Sequence, residues 1–211
     1  MWFDQWLVQQ FARLIRHRYG EALGLELPKW QAINEQHRLQ ALVNQLAGCG
    51  EDVTLRYGVQ LIAPEKIHLG SHVAVGSYSI LRGNGGITLE DFVLLGDHCI
   101  LATAGHPMGG VYFHQTWTES IILKTNVWLG ANVIVMPGVT IGENAIVGAG
   151  AVVTENIPAN SVAVGVPARV TRVLDLDPDA LQKQKDEIRA GRLKKIAGRG
   201  KRDVFGIKDT P

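Results

Sequence analysis

His106 is the side chain whose type and position best suit proton-transfer chemistry. It lies in the segment ATAGHP (102–107), where a regular repeat ends and an irregular stretch begins. Imidazole titrates near neutral pH and can therefore take a proton from a hydroxyl group. A loop that leaves a rigid scaffold is a common position for catalytic residues. A lone histidine is more often structural, so we predict a catalytic role for His106 alone among the seven histidines.

The composition excludes several classes of protein. The chain has 211 residues, 24 of them glycine, with 19% charged residues and a net charge of +1. Average proteins have about 7% glycine and about 25% charged residues. The apolar fraction of 46% excludes a disordered chain, and the near-neutral charge excludes a protein-wide basic field for nucleic acid. The excess of glycine, without a Gly-X-Y period, indicates many tight turns between short strands.

A six-residue repeat indicates the elements that must position His106. From Leu129 the sequence divides into LGANVI, VMPGVT, IGENAI, VGAGAV and VTENIP. The first position is always Leu, Val or Ile, and the fifth is a small or branched apolar residue. An earlier array has the same form: LGSHVA (69–74), VGSYSI (75–80), LEDFVL (89–94) and LGDHCI (95–100). Two arrays with one pattern are the strongest signal in the chain.

Period six predicts a parallel β-helix. A side of six residues cannot bury its apolar face alone, so coils must stack, and three sides close a coil of about 18 residues. The fifth position faces a narrow interior, which suits Val, Ala and Cys, while Gly and Asn at corners tolerate positive φ. Segments 82–88 and 106–124 interrupt the repeat, and we interpret the second as an excursion loop.

Outside the repeat the pattern is helical. Apolar residues recur at three- and four-residue steps near the N-terminus, and Asp177 with Pro178 opens a predicted C-terminal helix. We therefore predict an N-terminal helical region at 1–50, a β-helix domain at 51–173, and a basic helix and tail at 174–211.

The expected location is the cytoplasm. No stretch reaches the roughly 18 apolar residues of a membrane span, and the N-terminus lacks the order of a secretory signal. Cys49 and Cys99 form neither a disulfide framework nor a metal spacing, which fits a reducing compartment.

Two segments leave a second partner open. The first helix carries an apolar stripe with Trp2 and Trp6, flanked by arginines. It could pack on its own coil or a neighbouring subunit, which is the commoner use, or lie on an anionic membrane surface. The basic stretch 183–202 is either a solvated helix face with a tail or a patch for polyanions or anionic lipid.

The hexads and the segment 126–170 resemble the hexapeptide-repeat acyltransferases. The most similar branch is that of the sugar O-acetyltransferases, which includes galactoside and maltose acetyltransferases and polysaccharide-modifying relatives. The resemblance covers roughly residues 60–173. It implies a left-handed parallel β-helix, a homotrimer with active sites between subunits, and an acyl-CoA donor, usually acetyl-CoA.

In this family the histidine of the GHP segment, here His106, is the general base. Transfer of an acyl group from a thioester to a sugar hydroxyl needs such a base. No GxSxG motif occurs, which favours direct attack over an acyl-enzyme. The expected reaction is acetyl-CoA-dependent O-acetylation of a sugar in a polysaccharide or glycan precursor.

The resemblance also implies a corner that binds the donor. A backbone N–H near Trp128, Gly130 and Ala131 would stabilise the oxyanion and hold the donor's arm. Ala131 replaces the serine of some relatives, so a backbone role survives there and a hydroxyl role does not. Trp128 could equally be packing at a surface or an interface.

Further donor contacts are implied by position. Gly148, Ala149 and Thr154 match the channel for the pantetheine arm, although coil corners need small residues in any case. Arg169 and Arg172, in VGVPARVTR, match basic residues that meet the CoA phosphates.

The acceptor side departs from the family pattern. By ungapped comparison, Gly76 stands where galactoside and maltose enzymes have an Asn, and Asn84 stands where they have an acidic residue. Asn84 is our candidate sugar contact, with a plain turn residue as the alternative. Further candidates without a defined role are His98, Arg82, Tyr112, His114 and Trp117.

Three alternatives stay open on the residues. An N-acetyltransferase acting on an amino-sugar nucleotide is the main one, and a non-catalytic β-helix scaffold is the second. A γ-type carbonic anhydrase shares the fold but needs three histidine ligands. His68, His72, His98 and His106 lack its spacing, so no metal is expected.

Overall fold

The chain winds into a parallel β-solenoid of about six coils. The computed structural model describes residue 35 and residues 37–107 and 114–191. Among the described residues, nineteen short strands form three sheets and one separate antiparallel pair. The three sheets are parallel except for the antiparallel pairing of the last two strands of the second sheet. The predicted mainly β architecture is confirmed, and the left-handed sense of the coil stays an expectation from the resemblance.

Each coil contributes one strand to each of three sheets. Sheet one contains β1 (Gly48–Cys49), β4 (Ile67–Leu69), β7 (Ile87–Leu89), β12 (Ile121–Leu123) and β15 (Thr140–Ile141). Sheet two contains β2 (Thr54–Leu55), β5 (Ala74–Val75), β8 (Leu94–Leu95), β13 (Trp128–Leu129), β16 (Ile146–Val147), β18 (Ser161–Val164) and β19 (Arg169–Val173). Sheet three contains β3 (Gln60–Ile62), β6 (Ile80–Arg82), β9 (Ile100–Ala102), β14 (Ile134–Val135) and β17 (Val152–Val153). The separate pair is β10 (Ala104–Gly105) with β11 (Trp117–Thr118).

Three columns of corners separate the sheets, and we name them corner 1–2, corner 2–3 and corner 3–1 after the sheets they join. The early coils are longer than the predicted 18 residues, since Ile67 pairs with Ile87, twenty positions on. Trp128 pairs with Ile146, eighteen positions on. The extra residues of the early coils lie at corner 3–1, where the phase break at 82–88 was predicted.

The core is the interior of the coils, as the repeat predicted. All first and fifth hexad positions of the C-terminal array are buried: Leu129, Val135, Ile141, Val147, Val153, Val133, Val139, Ala145, Ala151 and Ile157. Burial of these apolar rows is the main favourable term for the stack. Cys99 is buried among them, whereas Cys49 is exposed.

Corners carry residues at positive φ, and equivalent side chains stack between coils. Asn126, Asn144 and Asn160 have φ values of 61°, 59° and 53° at corner 1–2. The Asn126 side-chain amide donates to Asn144 Oδ1 at 2.9 Å, and the Asn144 amide donates to Asn160 Oδ1 at 2.8 Å. Larger residues occupy this conformation too, since His72 and Phe92 have φ of 58° and 61° with stacked rings.

Glu90 ties the third coil to the fourth at corner 1–2. Its carboxylate accepts hydrogen bonds from Lys124 Nζ at 2.8 Å and from the Thr125 N–H at 2.9 Å. Partial burial alone would raise the pKa of Glu90, but these hydrogen bonds outweigh it and hold the pKa below its ordinary value. The two coils are therefore joined on the side away from the excursion.

Helical segments pack at both ends of the solenoid. Helix α1 covers residues 37–43, and the side chains of Leu39, Val43 and Leu46 pack against the first coils. Helix α2 is Pro178–Arg189, and the Asp177 side chain caps it by accepting from the N–H of Asp179 at 3.0 Å, as the sequence predicted.

Helix α2 runs along corner 1–2. Lys185 Nζ lies 3.5 Å from Glu143 Oε1, and the Arg189 guanidinium lies 5.2 Å from the centre of the Phe92 ring. The VGVPAR segment turns over the last coil, where the Ala168 N–H donates to the Val152 carbonyl at 2.8 Å. Ala168 is buried there and closes the end of the core.

Two predicted boundaries need correction. The helical region was predicted to extend to residue 50, but β1 already pairs with β4 in the first coil, so the solenoid begins before residue 51. The excursion was predicted at 106–124, but Ile121–Leu123 is a regular strand that pairs with β7 and β15. The excursion therefore ends at residue 120, because the chain resumes its inward apolar pattern at Ile121.

The apolar stripe near Trp2, the tail from residue 192, and Tyr112 lie outside the described residues. Within the described part of the chain, no helix has the length and apolar character needed to cross a bilayer.

Candidate functional site

His106 stands on a hairpin that leaves the solenoid at corner 3–1. Strands β10 and β11 pair antiparallel, with Ala104 opposite Thr118 and Gly105 opposite Trp117. His106 follows β10 directly and its side chain is exposed. The base of the hairpin is held by the coil, since the Glu119 N–H donates to the Thr103 carbonyl at 3.0 Å.

A backbone carbonyl orients the His106 ring. His106 Nδ1 lies 3.0 Å from the carbonyl oxygen of Gln115. A carbonyl can only accept, so Nδ1 donates in this contact, and a neutral ring carries its one hydrogen there. Nε2 is then the nitrogen with the free lone pair, which is the arrangement that a general base needs.

Trp117 supports the hairpin beside the histidine. A Cβ built on Gly105 would lie 3.0 Å from Cζ2 of the Trp117 indole and 3.1 Å from Cε2. The ring therefore packs against the backbone of the residue that precedes His106. The sequence assigns no role to Trp117, and in the structure its indole packs against the hairpin backbone.

Asn84 lies in a tight turn one coil below the hairpin. The turn spans 83–86, and the Gly86 N–H donates to the Gly83 carbonyl at 2.8 Å. The Asn84 side chain is exposed, and its main-chain carbonyl accepts from Lys66 Nζ at 3.1 Å. Arg82 at the end of β6 pairs with Ala102 of β9, so Asn84 and His106 lie at the same corner column.

The small residues predicted for donor binding stack at corner 2–3. A Cβ built on Gly130 would lie 2.6 Å from the Ala149 amide nitrogen, and one on Gly148 would lie 2.7 Å from Cγ1 of Val164. Stacking therefore requires glycine at position 130 without any ligand, because the close atom there is backbone, whereas Gly148 meets only a side-chain methyl group at that distance. Ala131 and Ala149 are exposed at this edge, and the Gly150 N–H donates to the Ala131 carbonyl at 2.9 Å. Trp128 is half-buried on the outer face of β13.

Thr154 and Arg169 lie together near the C-terminal end of the solenoid. Thr154 follows β17 and is exposed at corner 3–1. Arg169 Nη2 lies 3.3 Å from Oε1 of the neighbouring Glu155, and both side chains are largely exposed. Arg172 lies opposite Val162 in the β18–β19 pair. The exposed Arg169 guanidinium pays no cost of burial and can exchange its Glu155 carboxylate partner for a phosphate.

Within one chain, these residues form two groups and not one pocket. His106, Asn84 and Thr154 belong to corner 3–1, whereas Ala131 and Ala149 belong to corner 2–3. Sheet three lies between them, and five residues of extended chain from Ala131 to the next corner span roughly 15 Å.

Other candidates lie elsewhere. His98 stacks on Tyr78 with ring centres 5.3 Å apart at corner 2–3. Arg82 is exposed below the hairpin, and His114 follows the part of the hairpin outside the described residues. A groove of about 440 Å³ on sheet one, lined in part by His68, Thr88 and Asp91, is remote from the His106 hairpin. Among the described residues, no group of three His, Cys, Asp or Glu side chains could hold a metal ion.

Sequence reasoning missed two residues of the hairpin. Gln115 acts through its main-chain carbonyl, which leaves no signal in the residue type. Thr103 is fully buried and bonds to the Asn84 turn through Gly85. It lies two residues after the inward Leu101, so strand periodicity could have identified it as a polar residue in an inward position.

Stacked hexad coils with glycine at the corners define a solenoid of the transferase-hexapeptide class. A family model described as bacterial transferase hexapeptide (six repeats) matches residues 120–155. Galactoside O-acetyltransferase of Escherichia coli (strain K12) is 32% identical over 145 residues, covering 67% of this chain and 71% of that protein. The putative colanic acid biosynthesis acetyltransferase WcaF of the same strain is 34% identical over 166 residues, covering 74% of this chain and 90% of that protein.

A solved structure agrees with these relatives. The hexapeptide-repeat acetyltransferase VCA0836 of Vibrio cholerae, complexed with acetyl-CoA, matches with a TM-score of 0.64 and 26% identity. The match covers 67% of this chain and 79% of that one. The chain belongs to the hexapeptide-repeat acetyltransferase family, whose members are typically trimeric. It is therefore an acyltransferase by family.

Proposed function

We propose that this protein transfers an acetyl group from acetyl-CoA to a sugar hydroxyl, with His106 as the general base. The observation that carries the proposal is the contact of His106 Nδ1 with the Gln115 carbonyl, because it leaves Nε2 to accept the hydroxyl proton. The family membership supports the donor and the reaction class.

The reaction balances without a covalent enzyme intermediate. As Nε2 of His106 takes the hydroxyl proton, the sugar oxygen bonds to the thioester carbonyl carbon. The carbon–sulfur bond then breaks, and the imidazolium returns the proton to the leaving sulfur. The products are an O-acetyl ester and free CoA. A backbone N–H at the Gly130–Ala131 corner would stabilise the oxyanion between the two steps.

We further propose a homotrimer in which two copies build each site. Corner 3–1 with His106 and corner 2–3 with Ala131 are separated within one chain, so a second copy must supply one of them. Outward rows on sheets two and three are apolar: Leu94, Trp128, Ile146 and Val162 on one, and Ile80, Ile100, Ile134 and Val152 on the other. Apolar rows of this length suit contact with another subunit.

The donor would lie along the edge formed by small residues. Gly130, Ala131, Gly148 and Ala149 leave this edge free of bulky side chains, and Thr154 would contribute from the next corner. Arg169 and Arg172 would bind the CoA phosphates as guanidinium groups. Trp128, half-buried beside the corner, would flank the arm.

The acceptor is proposed to be a sugar of a polysaccharide or glycan precursor, with Asn84 as a contact. Asn84 is exposed and shares the corner column of His106. The proposed catalytic domain is the solenoid from β1 to residue 173. An amine acceptor, as in an amino-sugar nucleotide, is the second candidate.

A panel of acceptors tests the function. We expect CoA release from acetyl-CoA with free oligosaccharides, nucleotide sugars or lipid-linked sugars, and a product that mild alkali cleaves. An ester is labile in mild alkali, whereas an amide is stable, so an alkali-stable product would indicate N-acetylation instead. Release of no CoA with any acceptor, by protein that still binds CoA, would favour a scaffold.

Weak membrane contact through the N-terminal segment is a proposal from sequence alone. We expect the full chain to co-sediment with vesicles rich in anionic lipid, and a Trp2→Ser, Trp6→Ser double variant to remain in the supernatant. Equal absence of both proteins from the pellet would remove the membrane contact. If it holds, a lipid-linked glycan becomes the favoured acceptor.

A further inference from the structure

We infer that Thr103 is a positioning residue that sets the His106 hairpin relative to the Asn84 turn. Thr103 lies three residues before His106, and its side chain is fully buried at 0% exposure. The inference rests on the proposed function, in which His106 and Asn84 act on one acceptor.

The Thr103 hydroxyl joins two backbone groups of the coil below. It accepts a hydrogen bond from the Gly85 N–H at 2.8 Å and donates to the Arg82 carbonyl. Gly85 directly follows Asn84 in the turn. A hydroxyl that both donates and accepts fixes its partners in direction as well as distance.

The main chain of Thr103 contacts the base of the hairpin, and we call the contact between the Asn84 turn and this base the junction. The Thr103 carbonyl accepts from the Glu119 N–H at 3.0 Å, at the point where the returning strand of the hairpin re-enters the coil. A Cβ built on Gly85 would lie 2.8 Å from the Glu119 carbonyl oxygen and 2.9 Å from the Thr103 carbonyl oxygen. The turn and the hairpin base are therefore in direct contact, and Thr103 fixes their spacing.

Loss of the hydroxyl should loosen this junction and misplace the base. Thr103→Val keeps the shape of the side chain but leaves the partly buried Gly85 N–H without its acceptor. We expect kcat to fall by about 10- to 100-fold, since a displacement near 1 Å at a reacting group has an effect of that order. The KM for acetyl-CoA should stay unchanged, because the donor corner is not part of the junction.

The chain offers a matched control at corner 2–3 of the same two coils. Ser79 is also 0% exposed, and its hydroxyl accepts from the Cys99 N–H at 3.1 Å and donates to the Gly96 carbonyl at 3.2 Å. Ser79→Ala should lower the melting temperature to a similar degree yet keep kcat within about threefold of wild type. Thr103→Ser, which keeps the hydroxyl, should restore most of kcat.

Two outcomes would overturn the inference. One is wild-type kcat in Thr103→Val; the other is a loss of kcat in Ser79→Ala as large as in Thr103→Val, which would indicate general destabilisation. If Thr103→Val does not fold, loss of kcat in a folded Thr103→Ser equally overturns it.

Amide hydrogen exchange separates this inference from the proposed function. We expect faster exchange of the Gly85 N–H in Thr103→Val than in wild type, and no such change in Ser79→Ala. This measurement needs no turnover. Unchanged exchange at Gly85 would therefore contradict the junction itself, whereas full activity of a His106 variant would contradict the catalytic role and leave the junction intact.

Discussion

Replacement of His106 by alanine is expected to lower turnover by at least about 10²-fold, the usual contribution of a general base. The variant loses the ring nitrogen that accepts the hydroxyl proton, while the hairpin keeps the β10–β11 pairing that does not involve the side chain. Affinity for CoA should be unchanged, because the proposed donor contacts lie at corner 2–3 and near Arg169. Steady-state kinetics and calorimetric titration with CoA on the full chain measure the two quantities separately.

His68→Ala is the matched control for this variant. His68 is exposed on the outer face of sheet one and is not part of the hairpin, so its removal should leave turnover unchanged. Near-normal turnover of His106→Ala, with the control equally active, would refute the mechanism. A parallel loss of CoA affinity would show that the histidine contributes to donor binding, contrary to the proposed separation.

The second large effect is expected for Gly76→Ala, which should destabilise the fold by about 3 kcal/mol. A Cβ built on Gly76 would lie 2.4 Å from both the carbonyl carbon and the carbonyl oxygen of Gly96, and 2.5 Å from the Asp97 nitrogen. All three atoms are backbone of the next coil, so no side chain can move to make room, and overpacking of this kind typically costs 1–3 kcal/mol or more. Chemical denaturation measures the change.

Gly150→Ala provides a matched control at the same corner. Gly150 has φ of 74°, and a Cβ built on it has no atom within 4 Å. Alanine there makes no steric clash, so its only cost is the left-handed backbone conformation, about 1–2 kcal/mol. A smaller loss for Gly76→Ala than for Gly150→Ala would contradict the close stacking of coils at corner 2–3.

The same geometry bears on the acceptor. The resemblance described above implies that galactoside and maltose enzymes have an Asn where this chain has Gly76. Gly76→Asn should therefore behave like a more severe Gly76→Ala and should not create activity on those sugars. Close stacking of the coils therefore accounts for glycine at this position.

The repeat and the C-terminal helix could be derived from the sequence because their signals are local. Leu129 and Val133 recur at fixed hexad positions, and each coil repeats the same burial, so the interior follows from one pattern. Asp177 and Pro178 likewise determine where helix α2 begins, since a cap satisfies N–H groups only two or three residues away. The end of the excursion was predicted wrongly because an insertion shifts the hexad phase on which the prediction depends.

The hexad pattern alone identifies the coil, its inward rows, and His106 as the histidine where the repeat ends. Only the tertiary structure decided the tautomer of His106, the buried junction at Thr103, and the separation of corners 3–1 and 2–3. The physical reason is that these properties depend on contacts between successive coils. Gln115 acts through a main-chain carbonyl, which every residue type has. Gly85 acts through a main-chain N–H, which every residue type except proline has. Neither contact can therefore be read from the residue types.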